Sequence, residues 1–266
     1  MPALDSRRRY AASAEHYHRH RPSYPPALID WILATTGRKP PARVADIGCG
    51  TGIATRLFGQ RGFEVVGIDP SQEMLSFAQR SGQARYVRGE ASATGLASGS
   101  VDLVVAAQAF HWFEAAPALH EFRRILRPQG WCAAFWNLRA STRFVDAYDE
   151  LLRAYSSEYD IMVKQEAAAA TLRGTAGVID PHLAEFGNRQ LLDREGLLGR
   201  AYSSSCVKHG IKDTGAFEVA LADLFDRHQQ RGHVEFRYRT VALCWRLAES
   251  RGDVAMHLAS SSFPRA

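Results

Sequence analysis

The residues best placed to do chemistry in this 266-residue chain cluster in one stretch, Val44-Ala45-Asp46-Ile47-Gly48-Cys49-Gly50-Thr51-Gly52. An apolar run there gives way to a turn with glycine at every second position. Glycine lets a backbone bend sharply and approach a ligand without a Cβ in the way. A helix beginning near Gly52 would point free N–H groups at whatever sits in that turn, which suits a polar or anionic group. The plain alternative is an ordinary strand-to-helix turn that happens to be rich in glycine. Asp69 follows Gly52 by 17 residues and closes a second apolar run, Glu64 to Ile68. A carboxylate there can accept hydrogen bonds from both hydroxyls of a ribose, or it can cap a helix starting at Pro70-Ser71. His111 lies just past a further apolar run, Val101 to Ala106. Its imidazole, with a reference pKa of ~6.5, suits proton acceptance at neutral pH, or it packs with Trp112 and Phe113. Nothing points to a covalent or metal mechanism: there are no paired carboxylates, no nucleophile elbow and no Cys-His pair. The four cysteines, Cys49, Cys132, Cys206 and Cys244, have neither metal nor disulfide spacing.

These groups need a scaffold that brings strand ends together. Short buried strands are expected at 43–47, 64–69, 84–88, 101–106 and 131–136, alternating with helices near 26–36, 52–58, 70–78 and 115–126. That rhythm argues for a parallel sheet covered on both faces, which binds ligands beyond the carboxyl ends of its strands where their order reverses. Pro25 and Pro26 open the first helix and Gly37 closes it. Beyond Ser141 the pattern becomes helical, at 143–156, 161–173 and 215–231, with a strand expected only at 189–192. The alternation of Val234, Phe236, Tyr238, Val241, Leu243 and Trp245 then predicts a late edge or hairpin strand over 233–247.

Composition is ordinary for a globular protein, 46% hydrophobic and 23% charged, and no apolar run approaches the ~20 residues that span a bilayer. The N-terminal arginines have no apolar segment behind them, so a secretory signal is not expected. A reduced, cytoplasmic, metal-free protein, monomeric or homodimeric, is the default expectation. The net charge of +5 owes much to Arg7-Arg8-Arg9 and to His16 through Arg21. No nucleic-acid module accompanies it, and nucleic acid is kept only as a minor alternative.

The motifs carry a resemblance. Val44 to Gly52 resembles the first motif of class I S-adenosylmethionine-dependent methyltransferases, and Gly67-Ile68-Asp69 with Pro70-Ser71-x-x-Met74-Leu75 resembles the second. Gly89-Glu90-Ala91 is similar to their adenine-contacting loop, with Glu90 where the family usually has Asp. Ser100 to Val104 resembles their fourth strand, and Ile125-Leu126-Arg127-Pro128-x-Gly130 the turn before the fifth. Arg21-Pro22-x-Tyr24-Pro25 and Gln108-Ala109-Phe110-His111-Trp112-Phe113 are similar to the small-molecule branch that includes trans-aconitate and ubiquinone-pathway methyltransferases.

The resemblance implies a doubly wound, seven-stranded, Rossmann-like α/β sheet with an inserted helical cap and an N-terminal lid. Residues 1–42 would form the tail, lid and first helix, and 43–139 the cofactor-binding core. Residues 140–232 would be a mainly helical insertion including one core strand, 233–248 the late strand and 249–266 a tail. It implies S-adenosyl-L-methionine as cofactor and S-adenosyl-L-homocysteine as product. Gly48 and Gly50 would pass under the methionine portion, and Asp46 would hold the loop or accept from the ammonium. Asp69 would take the ribose hydroxyls, with Pro70 behind it and Met74 on one adenine face. Glu90 and Ala91 would meet the adenine and Gln108 the region near the sulfonium. Tyr17 and Arg21 would close over the cofactor carboxylate or the substrate. Tyr24, His111, Trp112, Phe113, Trp136 and Asn137 would line the acceptor side. The aromatic residues there suggest an aromatic or apolar acceptor, with a small carboxylic acid as the alternative and Arg21, Arg139 or histidines as its counter-ions. Rival classes are a nicotinamide-dependent oxidoreductase, which Asp69 permits but the Gly48-x-Gly50-x-Gly52 spacing opposes, and a non-catalytic nucleotide binder.

Overall fold

Seven strands form one sheet in the order β3-β2-β1-β4-β5-β7-β6. The structure is a computed structural model and describes residues 19–80, 84–159 and 161–248. Tyr17, the other residues before Arg19 and the tail from residue 249 lie outside the described residues.

The chain enters through α1 (Pro26–Thr36), where Pro25 is the cap and Gly37, at φ 65°, ends the helix by donating to the Leu33 carbonyl. β1 (Arg43–Ile47), β2 (Glu64–Asp69), β3 (Arg85–Arg88) and β4 (Val101–Ala107) pair in parallel. α2 (Ile53–Gly59), α3 (Gln72–Arg80) and α4 (Ala115–Ile125) connect them and lead to β5 (Leu126–Arg139). Strand order reverses between β1 and β4, so the β1 turn opens at the crevice where such sheets bind ligands. β7 (Val234–Leu247) runs antiparallel between β5 and β6 (Val178–Leu192).

Alternate strand residues feed two cores. Val44, Val65, Leu103, Val105 and Phe135 face α1 and α2. Ala45, Ile68, Val104, Ala134 and Trp136 face α4 and α6 (Ile161–Arg173). A third core joins α5 (Arg143–Tyr155), α7 (Arg194–Tyr202), α8 (Ser205–Gly210) and α9 (Thr214–His228) to the start of β7 through Phe236 and Tyr238. The helical insertion is therefore divided: α6 covers the main sheet, and the other four helices build a cap at its end.

Three expectations change. β6 is 15 residues long rather than four. Its first half includes Asp180 at φ 52° and Pro181, and shifts register between Ile179 and His182. An edge strand tolerates a proline and a bulge that an internal strand would not. It also leaves Leu183 and Leu191 half or more exposed, which blurs its hydrophobic pattern. β7 is not an edge strand, because β6 covers it. Finally, α4 passes straight into β5 at Leu126, so Pro128 to Gly130 forms an irregularity within a strand instead of a separating turn.

Candidate functional site

The turn after β1 is shaped by positive φ angles at Gly48 (71°), Gly50 (54°) and Gly52 (78°). Any residue with a Cβ is strained in that region. At Gly48 a Cβ would sit 2.6 Å from the Ala109 Cβ and 3.2 Å from the Phe113 ring. At Gly52 it would run into the Tyr86 hydroxyl. The turn is stitched to the end of β2 by Gly48 N–H and Cys49 N–H, which donate to the Ile68 carbonyl at 2.8 and 3.0 Å. Gly48 and Gly50 remain partly accessible, whereas Cys49 is buried. Burial, then the Asp46 and Asp69 carboxylates, push the Cys49 thiol well above its usual pKa, which disfavours the thiolate.

Asp69 locks the two halves of this corner together. One carboxylate oxygen accepts from Gly50 N–H and the other from Ser71 N–H, both at 2.9 Å. Ser71 in turn accepts from Met74 N–H at 3.3 Å at the start of α3. Both readings of Asp69 from the sequence thus have a physical basis: it is held as a helix-entry group, and each oxygen retains a lone pair for a further donor. Burial raises its pKa, while the Ser71 and Gly50 donors oppose that shift. Asp46 is wholly buried beneath the turn, where Thr55 Oγ1 donates to its Oδ2 at 2.6 Å and its Oδ1 has no partner among the described residues. Burial holds its pKa up to about 7, against the Thr55 hydrogen bonds.

On the β3 side, Gly89 N–H donates to the Asp69 carbonyl at 3.2 Å, and Glu90 and Ala93 exchange backbone hydrogen bonds. Glu90 is exposed, Pro70 and Ala91 are half-buried, and Met74 is 2% exposed. This loop is anchored from behind by Glu121, which accepts from the Thr94 N–H and hydroxyl and pairs with Arg124 at 2.7 Å. Burial works against that charge, yet the Arg124 and Thr94 donors hold the Glu121 carboxyl down to about 2.

Across the switch point, Gln108 directly follows β4 at φ 54°. Its side chain accepts from Asn137 N–H at 2.8 Å and donates to Gln165 of α6 at 2.7 Å. Asn137 donates to the Ser23 carbonyl and accepts from the Thr240 hydroxyl, tying the lid to β7. A narrow recess here is lined by Arg21, Tyr24, Ile53, Gln108, Asn137 and Arg200. Tyr24 is buried edge-on against Phe135 at 4.7 Å.

The expected aromatic mouth does not form as a unit. Trp136 is wholly buried in the core beside α4 and α6, because strand alternation sends it to the opposite face from Phe135. Its indole N–H donates to His111 Nδ1 at 3.2 Å. Phe113 packs against Phe110 and Phe122 and forms the floor below Gly48. Trp112 lies against the His111 ring, 4.9 Å between centroids.

Three contributing residues escaped the sequence reading. Tyr86 fills the space beneath Gly52 and Gly67. Gln165 reaches Gln108 from a helix far along the chain, and Arg200 enters from the cap. Glycines at 52 and 67 imply a large neighbour, which is a faint signal for Tyr86; Gln165 and Arg200 have none locally.

The glycine corner fits a nucleoside with an amino-acid tail: accessible backbone at Gly48 and Gly50, a fixed carboxylate at Asp69, and an orphaned buried oxygen at Asp46. Among the described residues, no group of three or more His, Cys, Asp or Glu side chains is arranged to hold a metal ion, and no helix is long and apolar enough to cross a membrane.

A family model for a methyltransferase domain matches residues 45–134. An uncharacterized methyltransferase of Mycobacterium tuberculosis is 41% identical over 131 residues, covering 49% of this chain and 52% of that protein. Malonyl-[acyl-carrier protein] O-methyltransferase of Enterobacter lignolyticus is 33% identical over 187 residues, covering 66% of this chain and 72% of the relative. The chain belongs to the class I S-adenosylmethionine-dependent methyltransferases. A solved structure from Anaeromyxobacter dehalogenans, provisionally named a type II methyltransferase, shares the fold with a TM-score of 0.63 at 23% identity, over 85% of this chain and 96% of that one. This family member spans about half the length of most curated relatives it matches. The matched residues 45–134 take in the glycine turn, Asp69 and Gln108, and stop short of the cap that carries Arg200.

Proposed function

We propose that this protein transfers a methyl group from S-adenosyl-L-methionine to a small organic acceptor. The observation that carries the proposal is the corner where Gly50 N–H and Asp69 meet below an accessible glycine backbone. When bound, S-adenosylmethionine supplies a methyl group already activated on a sulfonium. The chain's own work is then to bind, align and dry the site. Gly48 and Gly50 would offer backbone to the methionine portion, and Asp69 would accept from the ribose hydroxyls without moving, since two N–H groups already fix it. Asp46, next to the loop, would favour an ammonium. Glu90 and Ala91 would border the adenine, with Met74 and Pro70 behind. Gln108, held by Asn137 and Gln165, would face the reacting end. Alignment of nucleophile and methyl in a water-poor site is worth ~7 kcal/mol or more.

The hydrogen bond from Trp136 argues against His111 as the base. Its Nδ1 lone pair is taken by the indole N–H, so the neutral ring carries its proton on Nε2 and offers a donor there. His111 is better read as a positioning residue. With Trp136 in the core and Phe113 under Gly48, the aromatic residues also lose force as evidence for an aromatic acceptor.

Thermal unfolding with added nucleotide tests the proposal. S-adenosylhomocysteine at about 100 times its dissociation constant stabilises by ~2.7 kcal/mol, which raises the midpoint by several degrees. Stabilisation by NADH and not by S-adenosylhomocysteine would overturn it.

A further inference from the structure

Arg200 on α7 is 2% exposed, and no carboxylate among the described residues pairs with it. Its Nε donates to the Tyr238 hydroxyl at 2.9 Å and its Nη1 to Ser203 Oγ at 3.4 Å. Its guanidinium carbon lies 5.3 and 5.8 Å from the Phe236 and Tyr238 ring centroids. Taking a cation out of water carries a penalty of several kcal/mol. Two bonds to neutral hydroxyls and two ring faces offset only part of it. The surrounding interior deepens the mismatch. The Tyr148 hydroxyl, and Nε and Nη2 of Arg139, are buried without acceptors among the described residues, and Asp149 is the acid paired with Arg139.

The side chain borders a small recess of about 20 Å³. Arg200 lines the recess shared with Arg21, Gln108 and Asn137, and no acidic side chain lines it. Arg21 donates to the Ser203 carbonyl at 2.9 Å, so the lid arginine and the cap arginine are fastened to the same residue. The guanidinium fork matches a planar carboxylate. A relay links this group to the lid: Tyr238, which accepts from Arg200, donates to Gln190 at 2.7 Å, and Gln190 donates to the His20 carbonyl at 3.1 Å.

We propose that Arg200, with Arg21 beside it, forms a subsite for a carboxylate of the methyl acceptor. The proposal rests on reading the adjoining glycine corner as the S-adenosylmethionine site. A carboxylate also ends the methionine portion of that cofactor, and the test separates the two sources. Titration calorimetry of the protein saturated with S-adenosylhomocysteine compares succinate, benzoate and octanoate with their amides. At least one acid is expected to bind, tenfold or more tighter than its amide. Arg200→Met should weaken that acid tenfold or more and S-adenosylhomocysteine less than threefold, with Arg200→Lys intermediate. The wild-type comparison of acid with amide stands even where a variant fails to fold. A tenfold loss of S-adenosylhomocysteine affinity in Arg200→Met, with acid binding unchanged, would assign the carboxylate to the cofactor and overturn the proposal. Equal binding of acids and amides, or no binding by any of the three acids, would also overturn it. If S-adenosylhomocysteine does not bind wild-type protein, the cofactor reading fails separately, and the same acid and amide titrations on the free protein decide whether the subsite exists.

Discussion

The glycine corner and the helical cap treat their charged groups differently. At the corner, two of the three acids are fully matched: Asp69 accepts from two N–H groups and Glu121 uses both its oxygens, the Gly48 and Cys49 N–H groups reach Ile68, and only one oxygen of Asp46 is left without a partner among the described residues. Around the cap interior, Arg200 has no carboxylate among the described residues, and Tyr148 and Arg139, the latter at the end of β5 and paired with Asp149, have buried donors without acceptors. The corner is held in shape by its own donors, with one buried carboxylate oxygen of Asp46 left over. The cap buries the Arg200 guanidinium against neutral hydroxyls with no carboxylate beside it among the described residues, and the proposed carboxylate subsite rests on that feature. On the proposed function, the corner would serve the cofactor and the cap the methyl acceptor.

The sharpest way to break this contrast is Gly48→Val. A β-branched residue at φ 71°, with its Cβ 2.6 Å from Ala109, should cost about 3–4 kcal/mol in denaturant unfolding from backbone strain and overpacking together. S-adenosylhomocysteine binding should be lost; normal binding would show that the turn is not a cradle.

Next comes Asp46, held up to about 7 by burial. Its unfolded-state value lies near 4, so between these values the unfolded chain binds fewer protons and stability falls as pH rises. Urea unfolding of the ligand-free protein should lose on the order of 2–4 kcal/mol from this group between pH 4 and 8, and Asp46→Asn should remove that slope. A flat profile in the wild type would mean that Asp46 ionises freely.

Asp69→Ala should weaken S-adenosylhomocysteine binding by about 1–3 kcal/mol in calorimetry, through lost charge-assisted hydrogen bonds. Unchanged affinity would leave Asp69 as a cap alone.

Arg200→Met sharpens the comparison from the other side. Since it removes a buried cation without orphaning a carboxylate among the described residues, stability should be unchanged or rise by about 1 kcal/mol. A loss of several kcal/mol would show that the cap charge is structural. The smallest effect is expected for His111→Phe, which should leave the pH profile of kcat/KM unshifted between pH 6 and 8; loss of an acid limb near 6.5 would restore His111 as a base.

Much of the corner was legible because its signals are local. Glycine at 48, 50 and 52, a carboxylate at 69 and apolar runs of strand length each act within a few residues of where they stand, and the parallel β1-β2-β4 frame follows from their alternation with helices. β6 was mostly hidden, since an edge strand with one solvated face and a proline bulge keeps little hydrophobic pattern. The role of Trp136 was misjudged because position next to a site residue in sequence means the opposite face in a strand.

The sequence by itself determined the parallel part of the sheet, its glycine turn and the family resemblance, because backbone conformation and burial pattern are written in neighbouring residues. Only the tertiary structure decided that Trp136 engages the His111 nitrogen, that Gln165 steadies Gln108 and that Arg200 meets Arg21 across 179 positions. Those pairings depend on how the cap packs against the sheet end. The energy of a buried charge is set by what surrounds it in space, and no local stretch of chain records that.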